Sequence, residues 1–404
     1  MTYDVAAVRA QFPALDSGVA AFDGPGGTQT PRSVIDAIAT ALSQPLSNRG
    51  TRTDGERNAD RIVADARAAM ADLVGAEPQG IVFGRSSTQL TYDLSRTLAH
   101  AWGPGDEVVV SRLDHDANVR PWIQAAERVG ATVRWIDFDP ATAELALADV
   151  ESVLSDRTRL VAVTAASNLV GTRPDIAAIA RAVHDSGGLV HVDAVHACAH
   201  CIVDLDRLGI DSMTCSPYKF LGPHLGVLAA RPDLLESLHP DKLAPATDAV
   251  PERFELGTLP YELLAGTSAA VDFLAGLDPS SSGTRRERLA ASFDALAIHE
   301  DDLRSVIEAG LGTMASVRMY SRAARRTPTL LLTFDGRDPV DAYTFLAQRG
   351  IAAPAGTFYA QEPSRHLGLG DTGGLRIGLA PYNDRSDVER LLTALDDFIS
   401  NPVL

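Results

Sequence analysis

Lys219 lies in the stretch CSPYKFLGPH, residues 215–224, where Pro217, Gly222 and Pro223 restrict the backbone to a turn. The runs on either side, residues 209–214 and 226–230, read as strands, so this lysine sits at the carboxyl end of one strand. A solvated surface lysine needs no such setting. Asp193 occupies a comparable place one apolar run earlier, closing the segment HVD, where an ionised carboxylate is costly unless a cation meets it. A carboxylate that holds a ring nitrogen protonated and a lysine that condenses with an aldehyde are the pair pyridoxal phosphate requires. In that chemistry the lysine forms a Schiff base, and the protonated ring absorbs the electrons of a substrate carbanion.

Other strand ends carry residues that fit the same ligand or a plainer role. Gly84-Arg85-Ser86-Ser87-Thr88 opens a helix, so free backbone N–H groups and hydroxyls gather there, which suits a phosphate or simply caps the helix. His115, in LDHDANVRPW, can stack on a planar ligand, act as an acid or base, or stand solvated in a turn. Asn168, after Ser167, can donate to a ligand oxygen or cap its own turn. His191, Asp193, His196, Cys198, His200 and Cys201 are dense in metal-ligand types. His191 and Asp193 project to one side of a strand while the cysteines fall elsewhere, and no paired C-x-x-C complements them, so no metal is expected.

The elements that must position these residues follow one rhythm from about residue 75 to 230. Short apolar runs at 81–83, 108–110, 132–136, 160–164, 189–192, 213–215 and 227–229 alternate with helical patterns, such as Leu90, Leu94, Leu98 and Ala101, or Ile176, Ile179, Ala180 and Val183. This predicts an α/β domain with a mostly parallel, seven-stranded sheet, helices on both faces and ligands at the carboxyl ends of strands. After about residue 260 the pattern changes. A helix over 261–277 and the polar turn 279–283 lead into a smaller α+β unit. Its strands are predicted near 316–320, 327–334 and 375–379, and its helices over 339–349 and 384–399. The expected division is an N-terminal arm at 1–20, a large domain at 21–266 and a small one at 267–404.

Composition narrows the partners. The chain has 404 residues, 45% of them hydrophobic, and a formal net charge of -17 spread along its length. That charge repels phosphate backbones and acidic membranes, so neither nucleic acid nor membrane is an expected partner. No apolar run is long enough to span a bilayer, and the first residues lack a secretory pattern, so a cytoplasmic protein is expected. Three cysteines in so long a chain predict reduced thiols.

FDGPGGTQTP, VFGRSSTQLT, LDHDANVRPW, SNLVGT, VDAVH, CSPYKFLGPHLGVL, FELGT and LRIGLAPYN follow one another in an order that resembles aminotransferase class V. These are fold-type I pyridoxal phosphate enzymes with the aspartate aminotransferase-like architecture, and they include the cysteine desulfurases. The resemblance implies Lys219 as the Schiff-base lysine, Asp193 as partner of the ring nitrogen and His115 as the stacking residue. It implies Asn168 and His196 toward the phenolic oxygen. It also implies Ser87, Thr88, Ser216 and Tyr218 around the phosphate, with Thr258 arriving from a second subunit of a homodimer. Arg376 would bind a substrate carboxylate, a bidentate task suited to arginine, beside Gly27 and Thr28. Two departures stand out: His196 replaces a glutamine of the desulfurases, and Tyr359 stands on the loop where they carry a nucleophilic cysteine. The chain is most similar to a "cysteine desulfurase-like" branch. The implied chemistry is α,β-elimination on a cysteine-like or S-conjugated L-amino acid, a C–S lyase with Lys219 as the Cα base and Tyr359 either facing the leaving group or gating the pocket. The alternatives are aminotransfer to a keto acid, then epimerisation or a decarboxylating, oxidative deamination.

Overall fold

A computed structural model describes residues 3–400. Among the described residues thirteen strands run in chain order: β1 (Ala20–Ala21), β2 (Ile81–Gly84), β3 (Glu107–Ser111), β4 (Thr132–Ile136), β5 (Thr158–Thr164), β6 (Leu189–Asp193), β7 (Ser212–Cys215), β8 (Gly226–Ala230), β9 (Val317–Met319), β10 (Thr329–Phe334), β11 (Ile351–Ala352), β12 (Ala355–Gly356) and β13 (Gly374–Gly378).

The central sheet has seven strands in the order β2-β8-β7-β6-β5-β3-β4. All seven coincide with the apolar runs expected from sequence. The inner runs lack alternation because helices cover both faces: every residue of β3 and β8 is buried, whereas the edge strand β4 alternates. The pairs β4·β3, β3·β5, β5·β6 and β6·β7 are parallel, whereas β8 runs antiparallel to both β7 and β2. Only residues 216–225 join β7 to β8, too few for a parallel crossover, so the chain must turn straight back. That turn carries Lys219.

A second sheet, β12-β13-β10-β9, is antiparallel throughout, and β1 pairs in parallel with β11. Among the described residues the buried hydrophobic side chains form three clusters: a larger core on one face of the central sheet, a third cluster with Val82, Leu94, Val108, Trp122 and Leu228 on its other face, and a smaller core against the second sheet. The helix Arg285–Leu311 contributes Leu289, Phe293 and Leu296 to the larger core and Leu303, Ile307 and Leu311 to the smaller. Ala20 and Phe22, from the N-terminal end, pack into the smaller core with Ile377 and Leu379. The expected helices over 261–277, 339–349 and 384–399 are realised as Tyr261–Ala275, Pro339–Ala347 and Arg385–Ser400. Two helices not anticipated, Arg32–Ser43 and Asp54–Val74, pack on the helix Tyr261–Ala275. The second opens on a capping box of Thr53 and Glu56.

Among the described residues no helix is long and apolar enough to cross a membrane. One close approach fixes the site's floor. A Cβ added at Gly226 would lie 2.2 Å from the carbonyl carbon of Ser86 and 2.6 Å from the Ser87 nitrogen, so only glycine lets β8 touch the start of the helix Ser87–Ala99. Gly226→Ala should therefore lose about 1–3 kcal/mol of stability and weaken cofactor retention. Gly103→Ala, which meets nothing within 4 Å, should stay within about 0.5 kcal/mol of the parent protein. Chemical denaturation of the pair checks the contrast.

Candidate active site

A cleft opens at the carboxyl ends of β2, β3, β5, β6 and β7. Ser87, Thr88, His115, Asn168, Asp193, His196, Tyr218 and Lys219 all line it, together with Ala117, Thr164, Ala166 and Val195. Eight of the residues singled out from sequence thus converge because parallel strands deliver their ends to one edge.

Lys219 ends a short 3-10 turn, Pro217–Lys219. Its Nζ donates to the carbonyl oxygens of Pro25 and, at 3.1 Å, Gly26. Burial, then the nearby charge of Arg376, pulls its pKa down to about 8. Asp193 lies in the opposite condition. Burial pushes its carboxyl up to about 6, against the pull of the Val195 N–H, donated to one oxygen at 2.8 Å, and of the Lys219 charge. His115 accepts from the Ala117 N–H at Nδ1, 3.0 Å away. Burial, then the Lys219 charge, depresses its pKa to about 4, so the ring is neutral with its proton on Nε2.

At the phosphate end Ser87 and Thr88 form the first turn of a helix whose N-cap, Ser86, accepts from Gln89 N–H. Ser216 Oγ donates to Ser87 Oγ at 3.1 Å. At the other end His196 shares Nε2 with the hydroxyls of Thr327 and Thr329, at 3.0 and 2.9 Å. Its Nδ1 and Asn168 Oδ1 are buried without hydrogen-bond partners among the described residues. A buried carboxylate without an ion-pair partner among the described residues, an unsatisfied nitrogen on His196, hydroxyls at a helix start and a depressed amine together fit pyridoxal phosphate. Asp193 would meet its ring nitrogen, His196 its phenolic oxygen, Ser87, Thr88 and Ser216 its phosphate, and Lys219 its aldehyde, whereas the Asn168 amide N–H is directed to the Phe358 carbonyl at 3.0 Å and its unpartnered atom, Oδ1, is an acceptor. When bound, that group supplies an electron sink for a carbanion at the substrate's Cα.

Several expected residues stand outside the cleft's wall. Arg376, 2% exposed on β13, donates Nη1 to Asn168 O (3.1 Å) and Nη2 to Asp23 Oδ1 (2.9 Å), with its plane on the Phe358 ring, 3.6 Å from the centroid. Gly27 lies against the Tyr218 ring. Thr28 receives a hydrogen bond at Oγ1 from Leu221 N–H (2.8 Å) and donates from that hydroxyl to Tyr218 O (3.1 Å), pinning the Lys219 turn. Thr258 is exposed in a separate groove with Arg85, Gln89 and His224. Tyr359 is 76% exposed, its ring 5.7 Å from that of His115 and its carbonyl accepting from Asp116 N–H. Sequence reasoning missed Asp23, Phe358 and the carbonyls of Pro25 and Gly26. It also left unused a compositional signal: Lys219 is one of only two lysines in the chain, the other being Lys242.

The cysteines lie elsewhere. Cys198 and Cys215 are buried; the hydrogen bond between their thiols, then burial, holds the Cys198 pKa well above the ordinary thiol range. Burial pushes Cys201 up to about 11. The metal-ligand types also disperse: His191 bonds Ser212, His200 bonds Glu300, and among the described residues no three such groups converge.

Only the neutral amine of Lys219 is nucleophilic, and a pKa lowered to about 8 places its deprotonation inside an accessible range. Acylation of Lys219 in the cofactor-free protein should rise with pH, reach half its maximum near pH 8 and level off above it. Peptide mass spectrometry resolves it from Lys242, and a profile still climbing at pH 10 would contradict the environment described.

The comparisons with known proteins converge on one family. The Aminotransferase class-V model matches residues 20–391. The Mycobacterium tuberculosis protein MT3887 is 36% identical, over 98% of this chain and 99% of its own. The aminotransferase-like protein FGM3 of Gibberella zeae is 30% identical over 98% of both chains. The Escherichia coli cysteine desulfurase CsdA is 32% identical, over 98% of this chain and 97% of its own. The crystal structure of CsdA in its S-sulfonic acid form superposes with a TM-score of 0.86 at 28% identity, covering 100% of each chain. A seven-stranded, mostly parallel sheet with a lysine turn at its carboxyl edge, matched along nearly its whole length, places this chain in the aminotransferase class-V family, whose cofactor is pyridoxal phosphate and whose fold is type I.

Proposed function

We propose that the protein catalyses α,β-elimination on a small L-amino acid with sulfur at Cβ, releasing the sulfur-bearing group without lodging it on an enzyme thiol. The observation that carries this reading is the distribution of sulfur nucleophiles: none of the three cysteines lines the cleft, while Tyr359 stands beside His115 at its mouth. A persulfide route needs an accessible thiolate, and burial opposes that form in Cys198 and Cys201.

On this reading Arg376 draws the substrate's carboxylate toward the cleft and Lys219, once displaced, removes the Cα proton. Its depressed pKa makes it a competent base near neutrality. The Cβ–S bond then breaks, the sulfur leaves with the bonding electrons and takes up a proton, and the eliminated enamine reacts with water to give pyruvate and ammonia. His115, held neutral, orients the reacting ring face. Thr258 is assigned to a second copy's phosphate site in a homodimer, a reading supported by its exposure and by its separation from this chain's own cleft. Aminotransfer to a keto acid is the second reading, favoured by the likeness to the aminotransferase-like protein FGM3.

The test uses a thiol-free variant, Cys198→Ala, Cys201→Ser and Cys215→Ala together, assayed with L-cysteine, cystine and S-alkyl cysteines. Pyruvate and ammonia should form at a rate within about twofold of the parent enzyme, because no thiol touches the reacting atoms. Loss of sulfur release in a folded triple variant would return the chemistry to a persulfide. A pyridoxamine spectrum reversed by keto acids, with no pyruvate released, would establish aminotransfer instead.

A further inference from the structure

The guanidinium of Arg376 offers two edges to an anion. Nη1, at the tip, is taken by the Asn168 carbonyl. The side edge, formed by Nε and Nη2, is only half used: Nη2 donates to Asp23 Oδ1 at 2.9 Å, whereas Nε is buried and has no hydrogen-bond partner among the described residues. An unpaired buried N–H on an ion-paired arginine is costly, and a carboxylate seated bidentately on that edge would satisfy it. Asp23 is held back from that geometry. Its backbone is tied to β13 through the bridge Asp23↔Gly378, and its carboxylate packs against Gly26 so closely that a Cβ there would fall within 2.5 Å of it. The Asp23 side chain is nevertheless 40% exposed, so it can turn to solvent without losing much hydration.

We propose that Asp23 is an internal stand-in for a substrate carboxylate: it holds Arg376 in the free enzyme, cedes the Nε/Nη2 edge when a carboxylate ligand arrives, and so sets the affinity for that ligand. This rests on the reading that Arg376 receives the substrate's carboxylate, and not on which bond breaks afterwards. The exchange replaces one anion by another beside Arg376, so the arginine is neutralised before and after binding. The stacked face against Phe358 and the bond to Asn168 keep the guanidinium in place during the exchange.

Propionate, a carboxylate without an amino group, tests the exchange by calorimetric titration of the cofactor-loaded protein. Asp23→Asn should bind propionate roughly tenfold or more tightly than the parent, since a competing anion has been removed. Asp23→Glu, which retains the charge, should stay within about twofold, and Arg376→Ala should abolish binding. Unchanged or weaker binding by Asp23→Asn, with binding still lost in Arg376→Ala, would make Asp23 a strut and overturn the proposal. Equal tightening by the glutamate variant would also overturn it. Binding unchanged in Arg376→Ala would instead refute the underlying role of the arginine. Asp23→Ser, read by the same criteria, serves where the asparagine variant does not accumulate.

Discussion

Charge taken out of water at the carboxyl edge of the central sheet is the constraint on which this structure depends. Burial acts on the ionisable groups gathered there and disfavours the charged form of each: it raises Asp193 and lowers Lys219, Arg376, His115 and His196. Their compensation differs. Arg376 is met by a carboxylate, a carbonyl and an aromatic face, and Lys219 by two backbone carbonyls. Asp193 receives one backbone N–H and the more distant pull of the Lys219 charge, and a protonated ring nitrogen would supply the cation it lacks. The site is therefore poised for a cation at Asp193 and for an anion at Arg376, with a titratable amine between them.

The N-terminal segment turns that electrostatic arrangement into geometry. Ala20 and Ala21 pair with β11, the Phe22 carbonyl accepts from Gly378 N–H, and Asp23 reaches Arg376, so the segment begins as part of the small unit. Within five residues it has crossed to the large sheet, where Pro25 and Gly26 receive Lys219 and Thr28 bonds Tyr218 and Leu221. One short turn thus touches both the lysine and the arginine. Any change in the spacing of the two units is felt at both cations through this turn. Their separation is set by covalent reach as well as by packing.

The same physics explains how much was legible in sequence. Most of the central strands were readable because burial on both faces leaves uninterrupted apolar runs, the edge strand β4 because TVRWI alternates, and Asp193 and Lys219 because charge at the end of such a run demands a reason. The antiparallel return of β8 was implicit in its ten-residue connection, residues 216–225, yet periodicity alone does not reveal strand direction. Two-residue strands such as β1 and β11 carry no period at all. Asp23 was hidden for a different reason: its partner lies 353 residues away, and a half-filled guanidinium edge exists only in three dimensions. Phe358 reads as an ordinary loop aromatic until Arg376 is found beneath it.

The loop that ends at Ala360 carries Tyr359, and its backbone is fixed in an unusual conformation. Phe358 and Tyr359 both adopt positive φ, 54° and 58°, a conformation that disfavours side chains by roughly 1–2 kcal/mol each. Three ties oppose that cost: the Phe358 carbonyl accepts from Asn168, the Tyr359 carbonyl accepts from Asp116 N–H, and the Phe358 ring covers Arg376. The loop is thereby fastened to the cofactor side and the carboxylate side at once, and the tyrosine is turned outward over His115. A strapped aromatic rim suits a reaction whose sulfur product departs by diffusion, which is why the elimination reading and the fastening of this loop support each other.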